Sequence, residues 1–398
     1  MVNEAALSPR GFTMKKVVIG IFLLFVALIF ASGQKAQRDD KNNVKKAKAC
    51  FSQAARDAAV RTARVYHAPD PAYDPVLGYN TATGPLKGSP PVDENGLAKP
   101  ITCKANPNPT KGHGTLPKYY CSVEGNTDED GDLIRYKVKG QHKGDSPGER
   151  NGEINGEFLS SRFSQAMGFY ADDEWVADVA CPDCEKSLTR GFIGVKYTPF
   201  QPAAGIEMKE AHGIDTDCDN DKGASLSGSL KEIAANGEPR AEIDAFKLWL
   251  AFIDHGDTKD DNHRFACLKT VKSQDGSLSC ADGQSIFYVS DMGSTFGFSS
   301  DSSHKARLEL WQGKDPIKIQ GGKCYSTAKS IGDARMSEAG RALLSTNLKR
   351  LLDEESQNGL ITRVFKASRN DERDKPASEW TAEFIRKANT IINAHCSD

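Results

Sequence analysis

The sequence lacks a surplus of charge of either sign. Its 398 residues contain 52 lysines and arginines against 54 aspartates and glutamates, which gives a formal net charge of −2, and both signs are mixed along the chain. A protein whose main partner is nucleic acid carries a basic stripe or patch for the phosphates. The balance of charge therefore argues against a nucleic-acid partner.

Long apolar runs are also scarce. The run from Val17 to Phe30 has 14 residues, whereas a helix needs about 20 to cross a bilayer. Two lysines precede the run and a stretch of small residues ending at Gly33 follows it, which is the order of a secretory signal. We expect residues 1–33 to be a signal peptide, a retained anchor being the less favoured alternative. The mature protein is then periplasmic or extracellular, and only the signal segment meets a membrane.

The sequence has only one C-x-x-C pair, although it contains ten cysteines, an even number. After an export signal, such a count is typical of disulfides. The spacing is compatible with two local bridges, Cys103–Cys121 and Cys267–Cys280, and leaves the other pairings open. Cys181 and Cys184 form the C-x-x-C pair but lack the second pair of a structural zinc site. We therefore favour disulfide use over zinc binding or redox chemistry.

Changes in composition divide the chain behind the signal into three segments. Residues 34–117 are polar and then rich in Pro, Gly and Asn, which predicts a linker followed by an irregular, disulfide-pinned region. Residues 118–200 contain several strand-like runs and one helix and resemble an N-lobe. Residues 201–398 begin with a polar, loop-rich stretch and continue with apolar helices, like a C-lobe. The chain therefore predicts an α+β fold of two lobes, a small strand-rich one and a mainly helical one.

The individual elements are predicted from hydrophobic periodicity and turn residues. The predicted strands span residues 119–124, 133–139, 175–180, 192–197 and 286–290. The predicted helices span residues 47–66, 156–168, 241–255, 337–352 and 379–394.

Residues with catalytic chemistry follow the apolar helix at 241–255. Asp257 and Asn262 have the D-x-x-x-x-N spacing of a kinase catalytic loop, and Asp291 follows a predicted buried strand. In a kinase, the Asp of this loop accepts the proton of the attacking hydroxyl. The Asn of the loop and a second Asp, further along the chain, hold magnesium. We therefore assign catalysis to Asp257 and metal binding to Asn262 and Asp291. Because Asp and Asn are also common turn residues, the assignment depends on the order of the motifs.

A kinase also needs a strand lysine that contacts the phosphates and a helix glutamate that holds this lysine. Lys137 and Lys139 point to the same face of one predicted strand, so the residues alone leave both open. We favour Lys139, because Glu157 opens a predicted helix soon after it. The sequence has no G-x-G-x-x-G phosphate loop, and only a loose series of glycines from Gly144 to Gly156 is present there.

These residues together resemble a known superfamily. Lys139, Glu157-x-x-x-Ser161-Arg162, Asp257-x-x-x-x-Asn262 and Asp291-x-Gly293-x-x-Phe296-Gly297 look like the atypical protein-kinase-like superfamily of HipA-type kinases, type II phosphatidylinositol 4-kinases and secretory-pathway casein kinases. The chain is still more similar to a group of uncharacterised exported bacterial proteins that share "SSR…MGF", "HGDTKDDNHR" and "SDMGSTFG". The resemblance runs from about Leu133 to Leu352 and implies a kinase-like fold that uses ATP and magnesium.

The sequence thus predicts an exported kinase-like phosphotransferase that uses ATP with Mg²⁺ or Mn²⁺ and acts on an unknown protein or small molecule. One alternative is a kinase-fold protein that has lost catalysis and binds a partner. Another alternative is a metal-dependent hydrolase, in which His255, Asp257, His263 and Asp291 would hold a transition metal.

Overall fold

The structure is a computed structural model, and it describes residues 51–105, 118–127, 133–140, 152–182, 200–208, 212–213, 224–297 and 305–398. The signal segment predicted at residues 1–33 and the strand predicted at 192–197 lie outside these residues. Eight α-helices occur in the described part: α1 (Gln53–Thr62), α2 (Glu153–Ala166), α3 (Leu226–Ala235), α4 (Arg240–Phe252), α5 (Leu308–Gln312), α6 (Glu338–Asn358), α7 (Leu360–Ala367) and α8 (Ala377–Ile392).

The strands of the described residues fall into one larger sheet and several small ones. They are β1 (Tyr73–Asp74), β2 (Tyr79–Asn80), β3 (Ile101–Thr102), β4 (Lys104–Ala105), β5 (Lys118–Ser122), β6 (Tyr136–Lys139), β7 (Asp173–Ala180), β8 (Phe200–Met208), β9 (His212–Gly213), β10 (His263–Cys267), β11 (Thr270–Lys272), β12 (Leu278–Cys280), β13 (Ser285–Val289), β14 (Ile317–Gln320), β15 (Lys323–Ser326) and β16 (Arg335–Met336).

The larger sheet has six strands in the order β3-β7-β8-β6-β5-β4. All its pairs are antiparallel except β3 with β7. The hairpin expected near residues 119–139 is present as β5 and β6, in a register that places Lys118 opposite Lys139. Alternate side chains of these strands, among them Tyr119 and Val138, are buried in a small apolar core of the sheet.

Helix α2 lies between this sheet and the rest of the chain. All its residues except Gln165 are buried, because one side packs on β7 and another packs on the C-terminal helices. Phe163 illustrates the second contact, with ring centroids 4.9 Å from Phe384 and 5.5 Å from Phe365. The chain turns away after the helix ends at Ala166, and Gly168, two residues further on, has a φ of +85°, a conformation that glycine adopts without strain. Any side chain on α2 that faces the sheet therefore sits between the two parts of the fold.

The C-terminal part is mainly helical and packs around aromatic side chains. Trp249 of α4, Trp311 of α5 and Trp380 of α8 are fully buried in the main core. The long helix α6 begins behind Ser337, whose hydroxyl accepts a hydrogen bond from the Gly340 amide, as an N-cap does. A strand-rich N-terminal part and a mainly helical C-terminal part confirm the α+β class.

The region 201–236, predicted to be loop-rich, differs from that prediction. It contains most of β8 and the whole of α3. Pro202 and Gly205 give β8 little strand propensity of its own, but the strand pairs with both β6 and β7. The six-stranded sheet therefore continues to Met208, past residue 200 where we placed the end of the N-lobe.

The cysteines of the described residues are all disulfide-bonded. Bridges Cys103–Cys121 and Cys267–Cys280 confirm the two local pairs expected from spacing. A third bridge, Cys324–Cys396, ties β15 to the C-terminal residues. Cys181 is also bonded, whereas Cys184 lies outside the described residues. No helix in the described part is long and apolar enough to span a bilayer.

Candidate active site

Lys139 lies at the end of β6 and points at the first two turns of α2. Its ammonium group pairs with Glu157 and lies 3.1 Å from Glu153 Oε1, and its side chain is 1% exposed. Because Glu153 and Glu157 are four residues apart, they share one helix face. Lys137 is only partly buried, and Lys139 is the strand lysine that contacts both glutamates.

Asp291 follows β13 and closes this cluster. Its Oδ1 lies 3.8 Å from the ammonium nitrogen of Lys139, and its side chain is 31% exposed. The loop behind it is tied to α2, since the Thr295 hydroxyl donates to the Gly156 carbonyl oxygen at 3.1 Å. A Cβ on Gly156 would lie 2.9 Å from the Gly293 carbonyl oxygen. The absence of a side chain at position 156 therefore lets the loop approach the helix.

The loop that carries Asp257 and Asn262 lies directly beside the loop of Asp291. The Gly256 amide donates to the Ser294 carbonyl oxygen, and the Ser290 amide donates to the Asn262 carbonyl oxygen, both at 2.8 Å. The Asn262 side-chain amide in turn donates to the Asp257 carbonyl oxygen at 3.0 Å. The Asp257 carboxylate is 26% exposed and pairs with Lys259. All five residues assigned from the sequence therefore belong to neighbouring elements.

His255 and His263 stand at the two ends of the Asp257–Asn262 loop. Both rings are buried, and they meet nearly perpendicularly with centroids 5.7 Å apart. Burial, and for His255 also the neighbouring His263, lowers both pKa values to about 4. Both rings are therefore uncharged at neutral pH and serve as packing groups under the loop.

The hydrolase alternative required His255, Asp257, His263 and Asp291 to form one ligand set. Among the described residues, the groups whose ligand atoms all lie within 4.8 Å of one another are limited to Glu153, Glu157 and Asp291. The histidines are thus not gathered with the aspartates, and the structure offers no support for that alternative.

The three carboxyl groups differ in charge state. Burial acts to raise the pKa of Glu153, but Lys139 and Lys305 outweigh it and lower the value to about 2. Burial raises the pKa of Glu157 to about 8 despite Lys139. For Asp291, lysines 139, 137 and 118 overcome partial burial and hold the pKa well below its usual range. At neutral pH, Glu153 and Asp291 are therefore negatively charged, whereas Glu157 is largely protonated.

The donor atoms suit a hard divalent cation. Carboxylate oxygens are the ligands that Mg²⁺ and Mn²⁺ prefer, and Asp291 is the most exposed of the three carboxylates. The Asn262 nitrogen donates to a backbone carbonyl, which leaves its amide oxygen as the side-chain atom for a metal. Asp291 and Asn262 therefore both offer oxygen ligands of the kind that such a cation prefers.

Three residues of the cluster were missed by the sequence analysis. Glu153 lies one turn before Glu157, Lys118 lies opposite Lys139 across the hairpin, and Lys305 lies 2.7 Å from Glu153 Oε2. The i, i+4 spacing of the glutamates and the hairpin register were signals for the first two. Nothing in the sequence pointed to Lys305, which comes 14 residues after Asp291.

Comparisons with known proteins add little to this geometry. No protein-family model matches the chain, and no curated protein matches it. Among solved structures, the proinflammatory kinase CtkA of Helicobacter pylori is similar at 12% identity, with 72% of this chain and 95% of that chain covered and a TM-score of 0.35.

Proposed function

We propose that this chain is an exported kinase-like phosphotransferase that uses ATP with Mg²⁺ or Mn²⁺ to modify a protein or a small molecule. The observation that carries the proposal is the buried contact of Lys139 with Glu157 beside Asp291. A buried lysine held by a helix glutamate, next to a strand-end aspartate, is the arrangement that protein kinases use for phosphoryl transfer.

Each residue has a distinct role in this proposal. Lys139 binds phosphate oxygens, and Glu157 with Glu153 fixes the position of its ammonium group. Asp291 and Asn262 hold the metal, which when bound offsets charge on the phosphates. Asp257 orients the attacking hydroxyl and accepts its proton. The exposure of Asp257, at 26%, leaves it within reach of an entering substrate.

The proposal of export rests on the signal-like segment at residues 1–33, and the disulfides support it. Bridges such as Cys103–Cys121 and Cys324–Cys396 persist in oxidising compartments outside the cytoplasm. Mass spectrometry of the secreted protein should find a mature chain that begins near Gln34 and carries no free thiol. A chain that retains residues 1–33, or that shows ten free thiols, would exclude this part of the proposal.

The first test of function is the thermal stability of the mature protein with ATP, with and without Mg²⁺ or Mn²⁺. Because a ligand that binds only the folded state raises Tm, we expect a metal-dependent increase. Lys139→Ala should abolish the increase, whereas Lys137→Ala, a change on the same strand, should preserve most of it. If no nucleotide raises Tm with either metal, the kinase-fold protein that binds a partner becomes the better description.

A further inference from the structure

Three lysines, here called the lysine triad, surround one carboxylate. Lys118 and Lys139 lie opposite each other on β5 and β6, and their ammonium groups lie 3.7 Å and 3.1 Å from the same oxygen, Glu153 Oε1. Lys305 reaches the other oxygen at 2.7 Å. Like charges directly opposite each other on neighbouring strands are destabilising. This arrangement therefore costs stability, and ligand binding gives a reason for keeping it.

The lysine triad is buried as well as crowded. Lys118, Lys139 and Lys305 are 8%, 1% and 9% exposed, and taking an ammonium group out of water is costly unless it is paired. All three ammonium groups pair with Glu153, and one carboxylate offsets only part of their mutual repulsion. Glu153 thus holds three cationic groups in place on one side of Asp291.

A metal at Asp291 changes the charge of this cluster. Glu153 and Asp291 pair with the lysine triad and offset two of its three positive charges. A divalent cation at Asp291 therefore adds two positive charges to a cluster that is already positive. Coulomb repulsion at these distances is substantial in a partly buried site. An anionic ligand with several charges offsets it, whereas a ligand with one charge does so only in part.

We propose that Lys118 and Lys305 act with Lys139 as a binding site for a polyphosphate chain, and that metal and polyphosphate bind there with strong positive coupling. The inference rests on the proposed function, since it supplies the triphosphate of the nucleotide with a site. It also explains how a sequence without a G-x-G-x-x-G loop binds phosphates. Ammonium groups take the place of the backbone N–H groups that such a loop provides.

The test is calorimetry of the mature protein with manganese–inorganic triphosphate as the probe. The unmutated protein should bind this complex and bind either component alone at least tenfold more weakly. Lys118→Ala and Lys305→Ala should each weaken binding by about 10- to 100-fold, the usual effect of removing a charged hydrogen bond. Lys305→Arg should retain much of the affinity. Lys318→Ala, at an exposed position on β14, is the matched control and should change nothing.

A second readout separates ligand binding from a purely structural role. Lys305→Ala removes an ammonium group from Glu153, so it should bind free Mn²⁺ more tightly than the unmutated protein while binding the complex more weakly. Damage to the fold would weaken both. Equal affinity of Lys118→Ala, Lys305→Ala and the unmutated protein for the complex would overturn the inference, as would the absence of any binding of the complex.

A parallel titration with manganese–ATP distinguishes this inference from the proposed function. Binding of manganese–triphosphate without binding of manganese–ATP would support the lysine triad and overturn the nucleotide proposal. Binding of manganese–ATP that is unchanged in Lys118→Ala and Lys305→Ala would support the nucleotide proposal and overturn the lysine triad.

Discussion

Gly293 lies so close to Glu153 that a Cβ at position 293 would be 2.3 Å from the Glu153 Cγ. The glycine therefore lets the loop that follows Asp291 pack against α2 at the position of Glu153. A side chain at position 293 has to displace Glu153, and Glu153 is the group that contacts Lys118, Lys139 and Lys305.

Gly293→Ala is expected to impair the site more than the fold. Displacement of a positioned group by about 1 Å can cost about 10²-fold in activity, and we expect a similar loss of metal-dependent nucleotide affinity. The measurement is the ATP- and metal-induced rise in Tm. Gly313→Ala is the control, because a Cβ there would meet its nearest neighbours at 3.8 Å and 3.9 Å. Full retention of the rise in Gly293→Ala would show that Glu153 need not stay in place.

The sequence indicates candidate site residues, but it does not indicate how they contact one another. Asp291 was recognisable because a buried β-branched and aromatic strand, Ser285–Val289, runs directly into an Asp-x-Gly turn. Lys139 was preferred over Lys137 only through its distance in sequence from Glu157. The choice between two lysines on one strand face is made by packing against α2, which periodicity alone does not reveal.

Glu153 was missed because the sequence does not mark the start of α2. Its N-cap is Gly152, without a side-chain hydrogen bond, whereas Ser, Thr, Asp and Asn are the residues that usually signal a helix start. Lys305 was missed because its position is set by tertiary contacts. Arg373 donates hydrogen bonds to the carbonyl oxygens of Lys305 at 3.0 Å and Ala306 at 2.7 Å. Such a contact across 68 residues is not readable from local patterns.

The second prediction concerns pH and the carboxyl pair of Glu238 and Glu242. Both contact Arg64, and burial together with the hydrogen bond to Glu242 raises the pKa of Glu238 from 4.5 to about 7. Because the folded state binds this proton more tightly than the unfolded state, the stabilisation is full below pH 4.5 and is lost as the pH rises through 7.

Glu238→Gln cannot ionise, so it should have a Tm a few degrees above the unmutated protein at pH 8 and a smaller difference at pH 5. Glu309→Gln, at an exposed position on α5, serves as the control. Tm measured at both pH values tests the idea. A difference between Glu238→Gln and the unmutated protein that is the same at pH 5 and pH 8 would exclude it.

The third prediction compares two disulfides. Cys324–Cys396 joins residues 72 apart, whereas Cys267–Cys280 joins residues 13 apart. In the chain-entropy account, loops of these sizes correspond to about 4.4 and about 3 kcal/mol of stabilisation. Replacing both cysteines of the longer bridge with serine should therefore lower the free energy of unfolding more than the same change at the shorter bridge. Urea denaturation measures both losses, and a larger loss at Cys267–Cys280 would contradict the entropic explanation.

The last prediction separates nucleotide binding from phosphoryl transfer. Asp291 contributes its charge to the metal in the ground state, whereas Asp257 acts on the attacking hydroxyl. Asp291→Asn should therefore lose metal-dependent ATP binding. Asp257→Asn should bind ATP with nearly unchanged affinity and lose transfer, by about 10² to 10⁴ in rate, which is the usual contribution of a general base.

Calorimetry of ATP binding and an ADP-release assay measure the two effects separately. Asp261→Asn is the matched control, because Asp261 is exposed and lies in the same loop as Asp257. Since the loops of Asp257 and Asp291 are hydrogen-bonded through Gly256 and Ser294, a change that only loosens the loops should impair binding in both variants alike. Equal losses of binding in Asp257→Asn and Asp291→Asn would therefore mean that the two aspartates do not have the separate roles assigned to them.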